Sequence, residues 1–183
     1  AFLSIYDRYL GQFGFRDWYF FSNRTLKGPN WKVAYDGYLD FYHLPVLHKN
    51  TFGEDMYNQA IYTAWGPHQR VQAPARNYEE LEAKPESDWP NAALMTGVWT
   101  IFPHISIASF DGGGRGVMVS QLLPGETVGE SFTTQIYLME KKPSDELEQK
   151  AHEQFAFLEN VVQNEDYFTG LRQQRALKAG GID

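Results

Sequence analysis

The chain has 183 residues, 43% hydrophobic and 16% aromatic, enough for one domain with a sizeable core. Its net charge of -7 at pH 7 argues against a nucleic-acid partner, which wants a basic face. It has no cysteine, which excludes disulfides and thiolate metal sites; no apolar run is long enough to span a membrane and no signal peptide is visible, so a cytoplasmic protein is expected.

In chain order, residues 1–10 carry Phe2, Leu3, Ile5, Tyr6 and Leu10 and read as a short helix. Residues 13–23 are rich in aromatics and read as one or two strands around Arg16 and Asp17. Gly28 and Pro29 stop that run, and Asn30 follows as an N-cap. From there Trp31, Ala34, Tyr35, Leu39 and Tyr42, with Tyr38 beside them, predict a helix with one buried face. Asp36, Asp40 and His43 stand at i, i+4 and i+7, on a second stripe of that helix. Pro45 predicts its break near residues 42–44. Residues 49–58 read as a loop, 60–65 and 69–72 as short strands, and 73–90 as a solvated excursion with one helical turn at 78–83. Strands are expected at 94–102, 105–110, 116–124 and 130–140, the hairpin at 111–115 being set by three glycines. Ser144 is the expected cap of a long helix with the apolar stripe Leu147, Ala151, Phe155, Leu158 and Val162. No internal repeat or domain boundary is visible. The predicted architecture is α+β: an antiparallel sheet of about six strands with a long C-terminal helix across it, one domain over residues 1–183.

Two imidazoles and one carboxylate on one side of a metal leave positions open, a donor set suited to non-haem Fe(II). A helix broken after His43 lets His43 and His48 turn toward one point. The next residue on the C-terminal stripe after Val162 is Asp166, and a carboxylate there costs desolvation unless a cation meets it. Glu165 and Glu159 are its rivals. Asp36, His104, Phe155, Leu158 and Val162 are candidate pocket residues. His68 reads as a satisfied turn histidine and His152 as solvent-facing.

Asn30-Trp31-Lys32 followed by Asp40-x2-His43-x4-His48 resembles the iron-binding motif of the catalytic domain in the large subunit of Rieske-type aromatic-ring-hydroxylating oxygenases. The resemblance runs from about Gly11 to the C-terminus. It implies a START-like helix-grip fold and a mononuclear Fe(II) at His43, His48 and Asp166, the last in the family's C-terminal acidic pair. It implies that Asp40 holds His43 and links it to the Rieske [2Fe–2S] cluster of a neighbouring subunit. Asp36 departs from the Asn common at that place. The implied reaction is mono- or dioxygenation of a small aromatic or apolar substrate with O2, fed from NAD(P)H through a ferredoxin and/or a reductase. The implied assembly is a homotrimer or an α3β3 complex. Without cysteine this chain cannot hold the cluster; the cluster domain is expected N-terminal to it and lost by truncation, as the sequence opens at Ala1 without an initiator Met, the alternative being a protein that truly lacks the cluster. Two other readings stay open: an apolar-ligand-binding module without redox work, and a zinc hydrolase.

Overall fold

The computed structural model describes residues 2–3, 6–72, 80–89 and 97–180. Seven strands form one antiparallel sheet: β1 (Tyr19–Gly28), β2 (Ile61–Trp65), β3 (His68–Gln72), β4 (Val98–Ile101), β5 (Ile105–Asp111), β6 (Arg115–Pro124) and β7 (Ser131–Met139), in the order β1-β7-β6-β5-β4-β3-β2. From β2 to β7 the sheet is a sequential meander, and only β1 joins out of turn, beside β7. The helices are α1 (Tyr6–Gly11), α2 (Trp31–Asp36), α3 (Leu44–Leu47), α4 (Asp145–Val161) and α5 (Phe168–Lys178). A π-helical turn, Val162–Tyr167, joins α4 to α5 without a loop. This is the α+β helix grip expected, with seven strands rather than six.

Side chains alternate across the strands, so each face has its own cover. On one face α1 and the 3-10 turn Phe15–Asp17 lie over Trp99, Ile107 and Val117, with Tyr6 fully buried among them. Much of the aromatic content is used here: Phe13, Phe15, Trp18 and Trp65 all pack on that cluster. On the other face Ala151 and Leu158 of α4 sit on Met118, Tyr137 and Met139. We call this the inner face.

Several local expectations need correction. The aromatic run at 13–23 is split by the Phe15–Asp17 turn, and the strand that follows continues to Gly28. Asn23, Thr25 and Lys27 are polar because β1 pairs, among the described residues, with β7 alone and these outer positions meet solvent. The helix from Asn30 ends at Asp36, well before Pro45. Gly37, a weak helix former, caps it, and the chain tightens through bonds from Tyr38 N–H to the Tyr35 carbonyl and Leu39 N–H to the Asp36 carbonyl. Pro45 instead stands in the first turn of α3, where its missing N–H costs nothing. Asn30 caps α2 as expected, accepting from Lys32 N–H at 2.8 Å. Ser144 precedes α4, but its side chain makes no cap bond. The helical turn expected at 78–83 and the strand start at 94–96 fall partly or wholly outside the described residues. The tip of the β5–β6 hairpin presses on α4: a Cβ on Gly113 would lie 2.6 Å from the Leu147 carbonyl oxygen. Its glycines therefore serve close packing.

Candidate metal centre

Three segments bring the ligands together. His43 ends the turn that follows α2, and Asp40 shapes that turn by accepting from the His43 backbone N–H at 3.2 Å. His48 closes α3, its N–H bonded to the Leu44 carbonyl. Gly53 packs directly on this corner, donating its N–H to the His48 carbonyl at 2.9 Å. A Cβ there would lie 2.3 Å from the Leu44 oxygen and 2.8 Å from the His48 carbonyl carbon. The third segment is the π-helical turn that carries Asp166.

One ligand atom each from His43, His48 and Asp166 lies within 4.8 Å of the others. His43 Nε2 is 3.6 Å and His48 Nε2 3.3 Å from Asp166 Oδ1. Two donors that share one ion at about 2.1 Å can stand up to about 4.2 Å apart, so both spacings fit a common cation. The outer nitrogens are taken as well. His43 Nδ1–H donates to Asp40 Oδ1 at 2.9 Å, and His48 Nδ1–H to Glu165 Oε2 at 2.5 Å. Thr51 donates to the same Glu165 oxygen at 3.1 Å. His48 is buried and stacks on Phe52 with ring centres 4.8 Å apart. A carboxylate on the far nitrogen fixes the tautomer and leaves the Nε2 lone pair for a metal, so the donor set suits a mononuclear ion.

The electrostatics agree. Burial alone would push the Asp166 carboxyl up, but hydrogen bonding to His43 and His48 outweighs it and holds the carboxyl below its ordinary range. Burial alone would push both histidines down; Asp166, with Asp40 at His43 and Glu165 at His48, outweighs it and holds them above the usual value.

The structure brings Asp40, His43, His48 and Asp166 to one point. Asp36 is exposed at the end of α2, off any stripe shared with Asp40 and His43, because the helix has already ended. His104 pairs its Nε2 with Gln121 Nε2 at 3.1 Å. Gln121 alternates with the inward Ser120 and Leu122, so His104 belongs to the outer face rather than to a pocket under α4. Phe155, Leu158 and Val162 do turn toward the sheet: Phe155 stacks on Tyr137, Leu158 lies in the Met118 cluster, and Val162 packs against Leu26 and Leu122. His68 is buried, receives the Phe102 N–H at Nδ1 and donates from Nε2 to the Phe2 carbonyl. Two surface clefts, one lined by Lys27, Glu130 and Leu171 and one by Phe168, Gln174 and Arg175, include no residue of the triad. What sequence reasoning missed is the pairing of Glu165 and Thr51 with His48; the adjacent acids were visible, their shared target was not.

A family model described as the ring hydroxylating alpha subunit (catalytic domain) matches residues 15–183. The chain belongs to that family. As a ring-hydroxylating alpha-subunit catalytic domain it carries the two-histidine, one-aspartate triad of a mononuclear metal site. No curated protein sequence matches it. Among solved structures it is similar to the quaternary ammonium Rieske monooxygenase described for carnitine oxidation by gut microbiota, with a TM-score of 0.70 and 17% identity over 98% of this chain and 47% of that one. The quaternary ammonium Rieske monooxygenase CntA in complex with its substrate L-carnitine gives a TM-score of 0.69 and 15% identity over 98% of this chain and 45% of that one. With inhibitor MMV12 it gives 0.69 and 16%, over 96% and 45%. The likeness at these identities is one of fold. The chain spans less than half the length of those solved structures.

Proposed function

We propose that this ring-hydroxylating domain binds one Fe(II) through His43 Nε2, His48 Nε2 and an Asp166 oxygen, and that it hydroxylates a small substrate with an apolar or aromatic skeleton. The observation that supports this most is the double hold on both rings: each outer nitrogen on its own carboxylate, each inner nitrogen toward Asp166. Fe(II), when bound by three donors on one side, supplies the centre at which O2 is activated. The chain's own residues do the rest. Asp40 and Glu165 keep the Nδ1 protons in place, and Thr51 orients Glu165. Phe52 covers one face of the His48 ring and limits access of water to it.

The domain reading is that residues 1–183 form only the iron-binding part of a subunit. The Rieske [2Fe–2S] cluster would then sit in an N-terminal domain, with electrons passing from NAD(P)H through a ferredoxin and/or a reductase. They would enter at Asp40 from a neighbouring subunit in a homotrimer or α3β3 assembly, in the cytoplasm. Among the described residues no helix is long and apolar enough to cross a membrane.

The test is anaerobic reconstitution with Fe(II) or Zn(II) followed by metal analysis. One iron per chain is expected, lost in His43→Ala and in His48→Ala. Stoichiometric zinc with no iron uptake would defeat the oxygenase reading in favour of a zinc hydrolase, and no metal at all would favour a binding module.

A further inference from the structure

A line of polar side chains crosses the inner face of the sheet. In register, Arg24 stands opposite Gln135, Gln135 opposite Ser120, Ser120 opposite Ser106, Ser106 opposite Thr100, and Thr100 opposite Gln69. Six adjacent strands each place one polar residue at the same level. Gln135, Ser120, Ser106 and Thr100 are buried. Along the strands the same face turns apolar, to Leu26 and Leu122 on one side and Met118 and Tyr137 on the other. A pocket for a bare hydrocarbon has no use for this line, since each buried polar group must be matched or bear its desolvation.

Most of the line is matched from within: Gln135 Nε2 donates to Ser120 Oγ at 3.5 Å and Thr100 Oγ1 to the Gln69 carbonyl at 3.2 Å, and the exception is at Arg24. Arg24 Nε donates to Gln135 Oε1 at 2.7 Å; its Nη1 donates to the Phe155 carbonyl and lies 3.4 Å from the half-exposed Glu159 carboxylate. The side chain is 9% exposed, yet Nη2 is buried with no partner. The Tyr38 hydroxyl is also buried without a full hydrogen bond, in weak polar contact with Ser120, Gln135 and Tyr167. That hydroxyl lies within electrostatic reach of Arg24 and of Asp166, so it connects the polar line to the triad.

We propose that the ligand of this domain is an apolar carboxylic acid, its carboxylate accepting from Arg24 Nη2 and the Tyr38 hydroxyl and its skeleton lying toward the triad. An arginine N–H meeting a carboxylate is a charge-assisted bond, stronger than a neutral one. Glu159 balances the guanidinium and leaves Nη2 for the ligand. The inference deepens the oxygenase reading by naming the substrate class, and it rests on that reading only for what becomes of the ligand.

The experiment is calorimetric or fluorescence titration of the metal-reconstituted domain with one- and two-ring hydrocarbons and their matched carboxylates, such as naphthalene and 2-naphthoate. At least one acid is expected to bind about tenfold or more tighter than its hydrocarbon, the worth of one charge-assisted bond. Tyr38→Phe, which deletes only the hydroxyl, should weaken the acid and not the hydrocarbon; Arg24→Met should remove the preference. Acids that bind no better than hydrocarbons, the absence of binding by any acid, or a preference that survives Tyr38→Phe and any folded Arg24 variant would overturn it. Iron loading is measured on the same samples. Failure to load iron with the acid preference intact defeats the oxygenase reading alone, and iron loading without the preference defeats this proposal alone.

Discussion

His48 is held at both ring nitrogens by consecutive residues: Asp166 faces Nε2 and Glu165 accepts from Nδ1. Replacing Glu165 by Gln removes the charge that orients the ring and raises its basicity. Iron affinity should fall about 10- to 100-fold, read by competition with a chelator, while the fold persists. Asp40→Asn should behave differently: iron stays bound, but the full-length enzyme loses turnover because the path to His43 is altered. Normal coupled turnover in that variant would remove Asp40 from electron entry. Asp40, His43, His48 and Asp166 were legible in the sequence through a motif that resembles a known family's and, for Asp166, through an acid on an apolar stripe. The role of Glu165 was not, because neighbours on an α-helix point roughly 100° apart and do not ordinarily reach one ring.

What lets them do so belongs to the element. The π-helical turn Val162–Tyr167 widens the helix at the two acids, and burial moves from Leu158 and Val161 to Tyr167 and Gly170. Helical periodicity led to Asp166 but carries no sign of the extra residue. Deleting the exposed Gln163 should restore an ordinary α-helix, keep the far-ultraviolet circular dichroism, and abolish iron loading by rotating the acids away from His48. The second element is the α3 corner. Gly53→Ala drives a Cβ into the backbone of Leu44 and His48. The variant should lose about 1–3 kcal/mol of stability in urea titration and take up less iron. The end of α2 was misread for a related reason: Pro45 is a loud signal and Gly37 a quiet one, yet the chain turns at Gly37.

At the scale of the molecule, the triad makes the metal-free protein sensitive to pH. The folded-state pKa values of His43 and His48 are raised, so their contribution is complete below the ordinary histidine value of about 6.5 and is lost as pH climbs through the raised values. The Asp166 pKa is lowered, so its contribution is present above the ordinary carboxylate range and is lost as pH falls through the lowered value. The metal-free domain should therefore show its highest urea midpoint in mildly acidic buffer, with a decline toward alkaline pH. Fe(II) competes with the protons on both histidines, so anaerobic iron should reverse the alkaline decline. A urea midpoint that stays flat from pH 5 to 9 without iron would argue against this coupling. The meander was legible because its turns and alternation are local. The place of β1 was not, since β7, its only strand neighbour among the described residues, lies more than a hundred positions away, as in the pairing of Thr25 with Thr134.

That out-of-turn pairing bears on how the domain matures. The segment with both imidazoles follows directly on β1, and among the described residues β1 has no strand neighbour until the seventh strand has been synthesised. Pairing β1 with β7 closes a longer loop than any other strand pair among the described residues, a slow step because chain entropy must be lost before the contacts form. The acid that completes the triad is made later still. A nascent chain that has not yet extended past Asp166 thus has no assembled cation cradle.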